Sequence, residues 1–275
     1  MENGVPFLLT IEFDGGPELL KTAVRVQLVA RKFGFRPLWL LGAGALRHPA
    51  VLEHAGRWQQ DGDAEVGALL DAAQVPPLVD LGPRDKTPTL IDFPDSVMDE
   101  KLDWLTHGLS QALPKRPVSI RSIPAAADDR YFAALVRHGY KIDLTVVPHI
   151  RVGKRDFTAY SEKVYLTPQG IFEIPRTVRR RERGLWQFLF AVPAIRSLRL
   201  KRGNFGLARR LATEGLKAGP DHLDLRIAAA DWPRGNALVH DLERLLPLVQ
   251  TGVFPVTAEE FLVRYRTEQL RKGLL

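Results

Sequence analysis

Cysteine is absent from all 275 residues, which removes a thiol nucleophile, a thiolate metal site, an iron–sulfur centre and any disulfide framework. A metal would have to be held by histidine and carboxylates. Long apolar runs are missing as well. Nothing approaches the roughly 20 residues of a membrane span, and the run Leu185 to Ile195 is hemmed in by arginines. The start, MENGVPFLLTIEFDGG, has no basic stretch, and Val5 to Leu9 is too short for the core of a signal peptide. A cytoplasmic protein, peripheral at a membrane at most, is expected. No Gly-x-Ser-x-Gly elbow, P-loop or dinucleotide fingerprint occurs, and there are no repeats or low-complexity tracts.

What is present is a globular composition, 45% hydrophobic and 26% charged, which excludes a disordered chain. The net charge of +7 is unevenly placed. Between Arg176 and Arg210 eleven Lys/Arg face the single Glu182, a local balance of +10 that leaves −3 for the rest. One cationic segment on a slightly acidic body is therefore expected, rather than a basic coat. Its arginines bracket an apolar run, which fits either a core-packed helix with a solvated rim or an interfacial helix on an anionic membrane surface. No recognition helix or aromatic-interleaved strand supports nucleic acid as a partner.

Apolar periodicity predicts strands at Phe7–Glu12, Pro37–Leu41, Ala64–Leu69, Val118–Ser122, Lys141–Val147, Gly170–Pro175, Leu223–Ala229 and Val253–Val256. Helices are predicted near 19–29, 49–60, 98–113, 128–138, 237–249 and 258–271. Six or seven of these strands, alternating with helices and with no composition break, imply one parallel α/β domain over residues 1–275. The connections Gln74–Ser96 and Pro148–Gln169 are longer than usual, and loops of that length tend to be functional.

In parallel α/β folds, reactive groups gather where strands end. Alternation along the first strand puts Glu12 and Asp14 on one side, a carboxylate pair suited to general-base work or to a hard cation. The competing expectation is that one of them caps the helix after Gly15-Gly16-Pro17. Among seven histidines none forms a His-x-His or His-x-x-x-His pair. His149 follows a strand end and is the candidate of choice, His240 a weaker one, while His48, His54, His107 and His138 are placed on or beside helices with structural or solvent roles.

The order of several short motifs resembles the polysaccharide deacetylases of the nodulation-protein type, carbohydrate esterase family 4. FLLTIEFDGGP at 7–17 resembles the family's strand running into Thr-Phe-Asp-Asp-Gly-Pro. Arg31 to Leu40 looks like its second strand, Glu65 to Leu78 like its Glu-Ile-Gly-Ala-His-Leu-His segment with the later Pro-Pro, and Ser119-Ile-Arg-Ser like its arginine motif. His138-Gly-Tyr through Pro148, Phe172-Glu-Ile-Pro and Gly252-Val-Phe-Pro-Val continue the match almost to the end. The resemblance implies a single distorted parallel (β/α)7 TIM-like barrel. It also implies a divalent ion held by one Asp and two His, a carboxylate base, a late histidine acid, and acetylated sugars as substrates. Arg121 takes the place of the arginine that orients the catalytic carboxylate.

This sequence departs from the pattern at the metal. The two histidines fall on Leu69 and on Asp71 or Ala73. The late histidine should lie within LRIAAADW, Leu225 to Trp232, which has none. Only Asp14 and Asp71 remain as plausible remnants of a ligand set, too few for the usual three protein ligands. A pocket lined by Glu12, Asp14, Arg121, Asp143 and His149 is expected, with Asp231 as a further acidic neighbour. No cofactor is expected, or zinc or a similar divalent ion if the site is remodelled. The partner would be a carbohydrate or lipid-linked glycan of polysaccharide metabolism. Three functions stay open: a metal-free sugar-binding protein, a hydrolase using the remaining carboxylates, and a membrane-surface scaffold working through Arg176–Arg210.

Overall fold

A computed structural model describes residues 4–81, 87–149, 151–152, 155–157, 160–180, 195–197, 199–200, 209, 222–228, 231–232 and 235–274. Most of the basic segment 176–210 lies outside the described residues, and with it the helix expected there, whether core-packed or membrane-facing.

The principal sheet has nine strands. They are β1 (Val5–Phe13), β2 (Leu38–Leu41), β3 (Glu65–Asp71), β4 (Ser119–Ile123), β5 (Ile142–Asp143), β8 (Tyr165–Leu166), β9 (Phe172–Glu173), β12 (Leu223–Ile227) and β13 (Val253–Pro255). The order β12-β1-β2-β3-β4-β5-β9 is parallel throughout, β8 adds antiparallel to β9, and β13 pairs parallel with the start of β1. These seven parallel strands form the expected α/β architecture as a mostly parallel curled sheet, a distorted half-barrel. Two small hairpins stand apart, β6 (Arg151–Val152) with β7 (Arg155–Asp156), and β10 (Val178–Arg180) with β11 (Ile195–Ser197).

Helices α1 (Pro17–Lys32), α3 (Pro49–Gln60), α4 (Asp95–Ala112), α5 (Asp129–Arg137), α6 (Gly235–Gln250) and α7 (Ala258–Arg271) alternate with the strands, and a single turn, α2 (Ala43–Leu46), follows β2. Local chemistry sets several of their ends. Proline opens α1 and α3, where its missing N–H costs nothing. Asp128 caps α5 by accepting from Tyr131 N, and Thr257 with Glu260 forms a reciprocal box at the start of α7.

Alternation sorts the side chains. Phe7, Leu9, Ile11 and Phe13 of β1 pack outward with the helices in the larger core, joined by Trp39, Leu70 and Ile120. Leu8, Leu38, Leu40, Leu69, Ile142 and Phe172 face inward, and α7 plugs that interior with Phe261 and Leu262. Lys101 of α4 is fully buried. Its ammonium donates to Val75 O at 2.5 Å and Pro77 O at 2.6 Å, pinning the loop after β3.

Among the described residues no strand ladder joins β9 to β12. Side chains bridge that seam: His222 Nε2 lies 2.7 Å from Pro175 O, and Asp224 N donates to Thr177 Oγ1 at 2.8 Å.

Candidate functional site

The inward side of β1, β4 and β12 turns polar toward the strand ends. Thr10 and Glu12 follow Leu8 on β1, Arg121 follows Ser119 on β4, and Asp224 and Arg226 alternate with Leu223, Leu225 and Ile227 on β12. They meet in one buried network. Arg226 grips Glu12 with two bonds, Nε to Oε1 at 2.5 Å and Nη2 to Oε2 at 2.7 Å. Arg121 reaches the same carboxylate from Nη1 at 3.2 Å and donates from Nη2 to Asp224 Oδ2 at 2.9 Å. Its Nε is satisfied by Leu144 O at 2.8 Å, while Thr10 Oγ1 donates to Asp224 Oδ1 at 2.6 Å.

Arg121 is 0% and Glu12 1% exposed, so each charge depends on its partners rather than on water. Burial by itself would push the Glu12 carboxyl up. The Arg226 and Arg121 guanidiniums outweigh it and bring the pKa down to about 2. A carboxylate so held stays ionised at neutral pH and is a poor proton acceptor.

Above the network lies an open cleft of about 520 Å³ at the carboxyl ends of the strands. One side is acidic: Asp14 follows β1, and Asp71 ends β3. The other is cationic: Arg176 follows β9, Arg226 lies on β12, and Arg199 pairs with Asp231 at 2.9 Å. Gln74 and the Ile123-Pro124-Ala125 turn complete the wall, and no histidine lines it among the described residues. Glu12 and Asp14 thus do share one mouth.

Asp14 caps a helix other than the one expected. Its Oδ1 accepts from Gly44 N at 2.5 Å, at the start of α2, while the Gly16 amide at α1 is taken by Glu18 at 3.1 Å. A Cβ at Gly44 would overlap the Asp14 carbonyl oxygen, so this approach requires glycine. Burial raises the Asp14 pKa, opposed by the Gly44 amide and aided by Asp71. Asp71 accepts from Ala73 N and Gln74 Nε2, both at 2.9 Å.

Three expected pocket residues are placed elsewhere. Arg121 sits beneath the cleft as part of its floor network. Asp143 points to the outer face, because β5 turns Ile142 and Leu144 inward. There Asp143 Oδ1 accepts from Tyr131 Oη at 2.8 Å and Thr145 Oγ1 at 2.6 Å, beside Glu173. Burial raises both carboxyls, Glu173 well above its ordinary range with the Asp143 charge adding to it. His149 adopts a left-handed backbone, φ 64°, and contacts Glu162 away from the cleft. His240 lies on the exposed side of α6.

Asp224, Arg226, Arg176 and Arg199 were not singled out by the sequence reading. The alternation in Leu-Asp-Leu-Arg-Ile was visible: two charged residues one step apart on a buried strand must share an inward face. Arg176 and Arg199 belong to the basic segment, expected at a solvated rim or membrane, yet they line the cleft.

No protein-family model matches the sequence, and neither does any curated protein. Solved structures do. A Mycobacterium smegmatis protein described as a polysaccharide deacetylase superposes with a TM-score of 0.67 at 12% identity, over 98% of this chain and 92% of that one. The chain has the polysaccharide deacetylase fold. The family 4 carbohydrate esterase from Streptomyces lividans, solved with acetate, gives 0.52 at 11% identity over 93% of each chain. A mutant of a family 4 pseudoenzyme with restored enzymatic activity gives 0.52 at 12% identity, over 94% of this chain and 68% of that one.

A zinc centre of the kind this fold implies does not fit the residues present. Leu69 is apolar and buried in the barrel interior, both Glu12 oxygens are held by guanidiniums, and Asp14 Oδ1 is taken by a backbone amide. Among the described residues no group of three His, Asp or Glu is placed to hold a metal ion. Arg176, Arg199 and Arg226 at the same mouth would repel a divalent cation.

Proposed function

We propose that this chain is a sugar-binding protein of polysaccharide metabolism, built on the deacetylase barrel without its metal-dependent hydrolysis. The observation that carries this reading is the double clamp on Glu12. The carboxylate that ends β1 is neutralised by Arg226 and Arg121 and held at about pKa 2, a binding-site wall rather than a base. Sugar hydroxyls both donate and accept, and the cleft offers acceptors on one side (Asp14, Asp71, Gln74) and donors on the other (Arg176, Arg226).

The test is calorimetric binding of glycan fragments to the full chain, with zinc or with chelator, beside an assay of acetate release from acetylated sugars. Saturable binding that is unchanged by chelator, with no acetate released in zinc, is the expected result. Zinc-dependent release of acetate would overturn the reading.

One observation favours a second reading, hydrolysis without metal. Asp14 lines the cleft with its pKa raised by burial, the direction a general acid requires. Turnover of a glycan that Asp14→Asn abolishes, while ligand still binds, would establish it.

A further inference from the structure

The charge account beneath the cleft does not close. Arg121, Arg176 and Arg226 share the two buried carboxylates Glu12 and Asp224. Arg121 and Arg226 hydrogen-bond to Glu12, and Arg121 and Thr10 to Asp224. Among the described residues Arg176 Nε and Nη2 are buried and have no hydrogen-bond partner. A guanidinium cannot shed its proton to escape this, and an unmet buried donor is destabilising because it has given up water without gaining an acceptor. Arg176 nevertheless lines the cleft, so a turn of its flexible side chain brings those donors to whatever occupies the opening.

We infer that the cleft takes a sugar bearing an oxyanion, a uronate carboxylate or a phosphate ester, whose charge balances Arg176. This rests on the sugar-binding reading and narrows its ligand. A planar guanidinium pairs bidentately with either anion, a geometry a neutral hydroxyl cannot match. The acidic side of the cleft then sets orientation. Asp14 and Asp71 repel the anion toward the ends of β9 and β12 and accept from the hydroxyls of the same sugar ring.

The experiment is titration calorimetry of the full chain at low salt with trigalacturonate, glucose 1-phosphate, maltotriose, glucose and inorganic phosphate. The two anionic sugars should bind at least tenfold more tightly than their neutral counterparts, and which of them binds better distinguishes carboxylate from phosphate. Arg176→Gln should erase that preference, a loss of tenfold to a hundredfold by the strength of charge-assisted hydrogen bonds, and Arg176→Lys should keep part of it.

Equal binding of neutral and anionic sugars, unaffected by Arg176→Gln, would overturn the anion inference and leave sugar binding standing. Inorganic phosphate binding as well as glucose 1-phosphate, with no neutral sugar bound, would support the anion site and overturn the sugar reading. No binding by any probe would overturn both. Thermal melting gives an independent readout. Arg176→Gln removes donors that lack acceptors, so it should melt no lower than the parent, and a clearly lower melting temperature would overturn the proposal by showing that Arg176 already has its partner.

Discussion

Glu12 is the residue on which the network turns, since two guanidiniums converge on it and one of them, Arg121, is fully buried. Glu12→Ala takes the bidentate partner from Arg226 and leaves Arg121 with Asp224 alone, and breaking a buried pair from one side costs about 3–5 kcal/mol. The expected outcome is a large fall in the urea midpoint, and a change under about 1 kcal/mol would show that the pairing carries little net energy. The sign of its pH dependence follows from the direction of its shift. Glu12 is depressed from 4.5 to about 2, so its contribution is present above pH 4.5 and is lost as pH falls through 2. Residue identity alone could not reveal this: a strand-end glutamate reads as a base until the arginines facing it are known, and those come from positions 109 and 214 residues away.

At the scale of the element, the strand β3 carries a second buried carboxyl with the opposite behaviour. Glu65 sits at its start, where Ser119 Oγ donates to it at 2.5 Å and the Glu259 amide of α7 at 3.1 Å. Burial dominates and lifts its pKa from 4.5 to about 7. A raised carboxyl stabilises the fold fully below pH 4.5 and loses that contribution as pH rises through 7, up to about 3 kcal/mol for a shift of this size. Glu65→Gln keeps the hydrogen-bonding shape without the titration. Its stability should therefore vary less between pH 5 and 8 than that of the parent, and parallel pH profiles would refute the assignment.

The elements themselves were largely readable. The predicted ranges 49–60 and 258–271 coincide with α3 and α7, because proline or a Thr…Glu capping box marks their starts. The strand predicted over Lys141–Val147 shrinks to Ile142–Asp143. Its apolar run is real, and backbone bonds from Leu144 N to Ile120 O at 2.9 Å and from Arg176 N to Val146 O at 3.0 Å carry the pairing past Asp143 without a regular ladder. A place near a strand end does not say which face a residue turns, and Asp143 turns outward because it pairs with Ile120, an outward residue of β4. Turns such as α2 carry no period to read, and Asp14 could be matched to α2 only once β1 and β2 lay side by side.

Across the whole molecule the sheet is uneven. β1 meets β12 over five residue pairs and β2 over four, and β3 meets β4 over four, whereas β4–β5 and β5–β9 each hold by two. Among the described residues the seam between β9 and β12 is bridged by the His222 and Thr177 contacts. The arginines of the cleft stand on either side of this weaker part, Arg176 beyond β9 and Arg226 on β12, while Asp14 and Asp71 rise from the firmly paired strands. Local opening follows contact density, so amide exchange should be slowest in β1 to β4 and faster in β5, β8 and β9. If an anion joins Arg176 to Arg226, it adds a further tie across the seam beside the His222 and Thr177 contacts. Saturation with the best-binding anionic sugar should then slow exchange in β9 and at 175–177 more than in β2 and β3. Uniform slowing across the sheet would place the ligand elsewhere, and no slowing at β9 would mean that the anion does not span the seam.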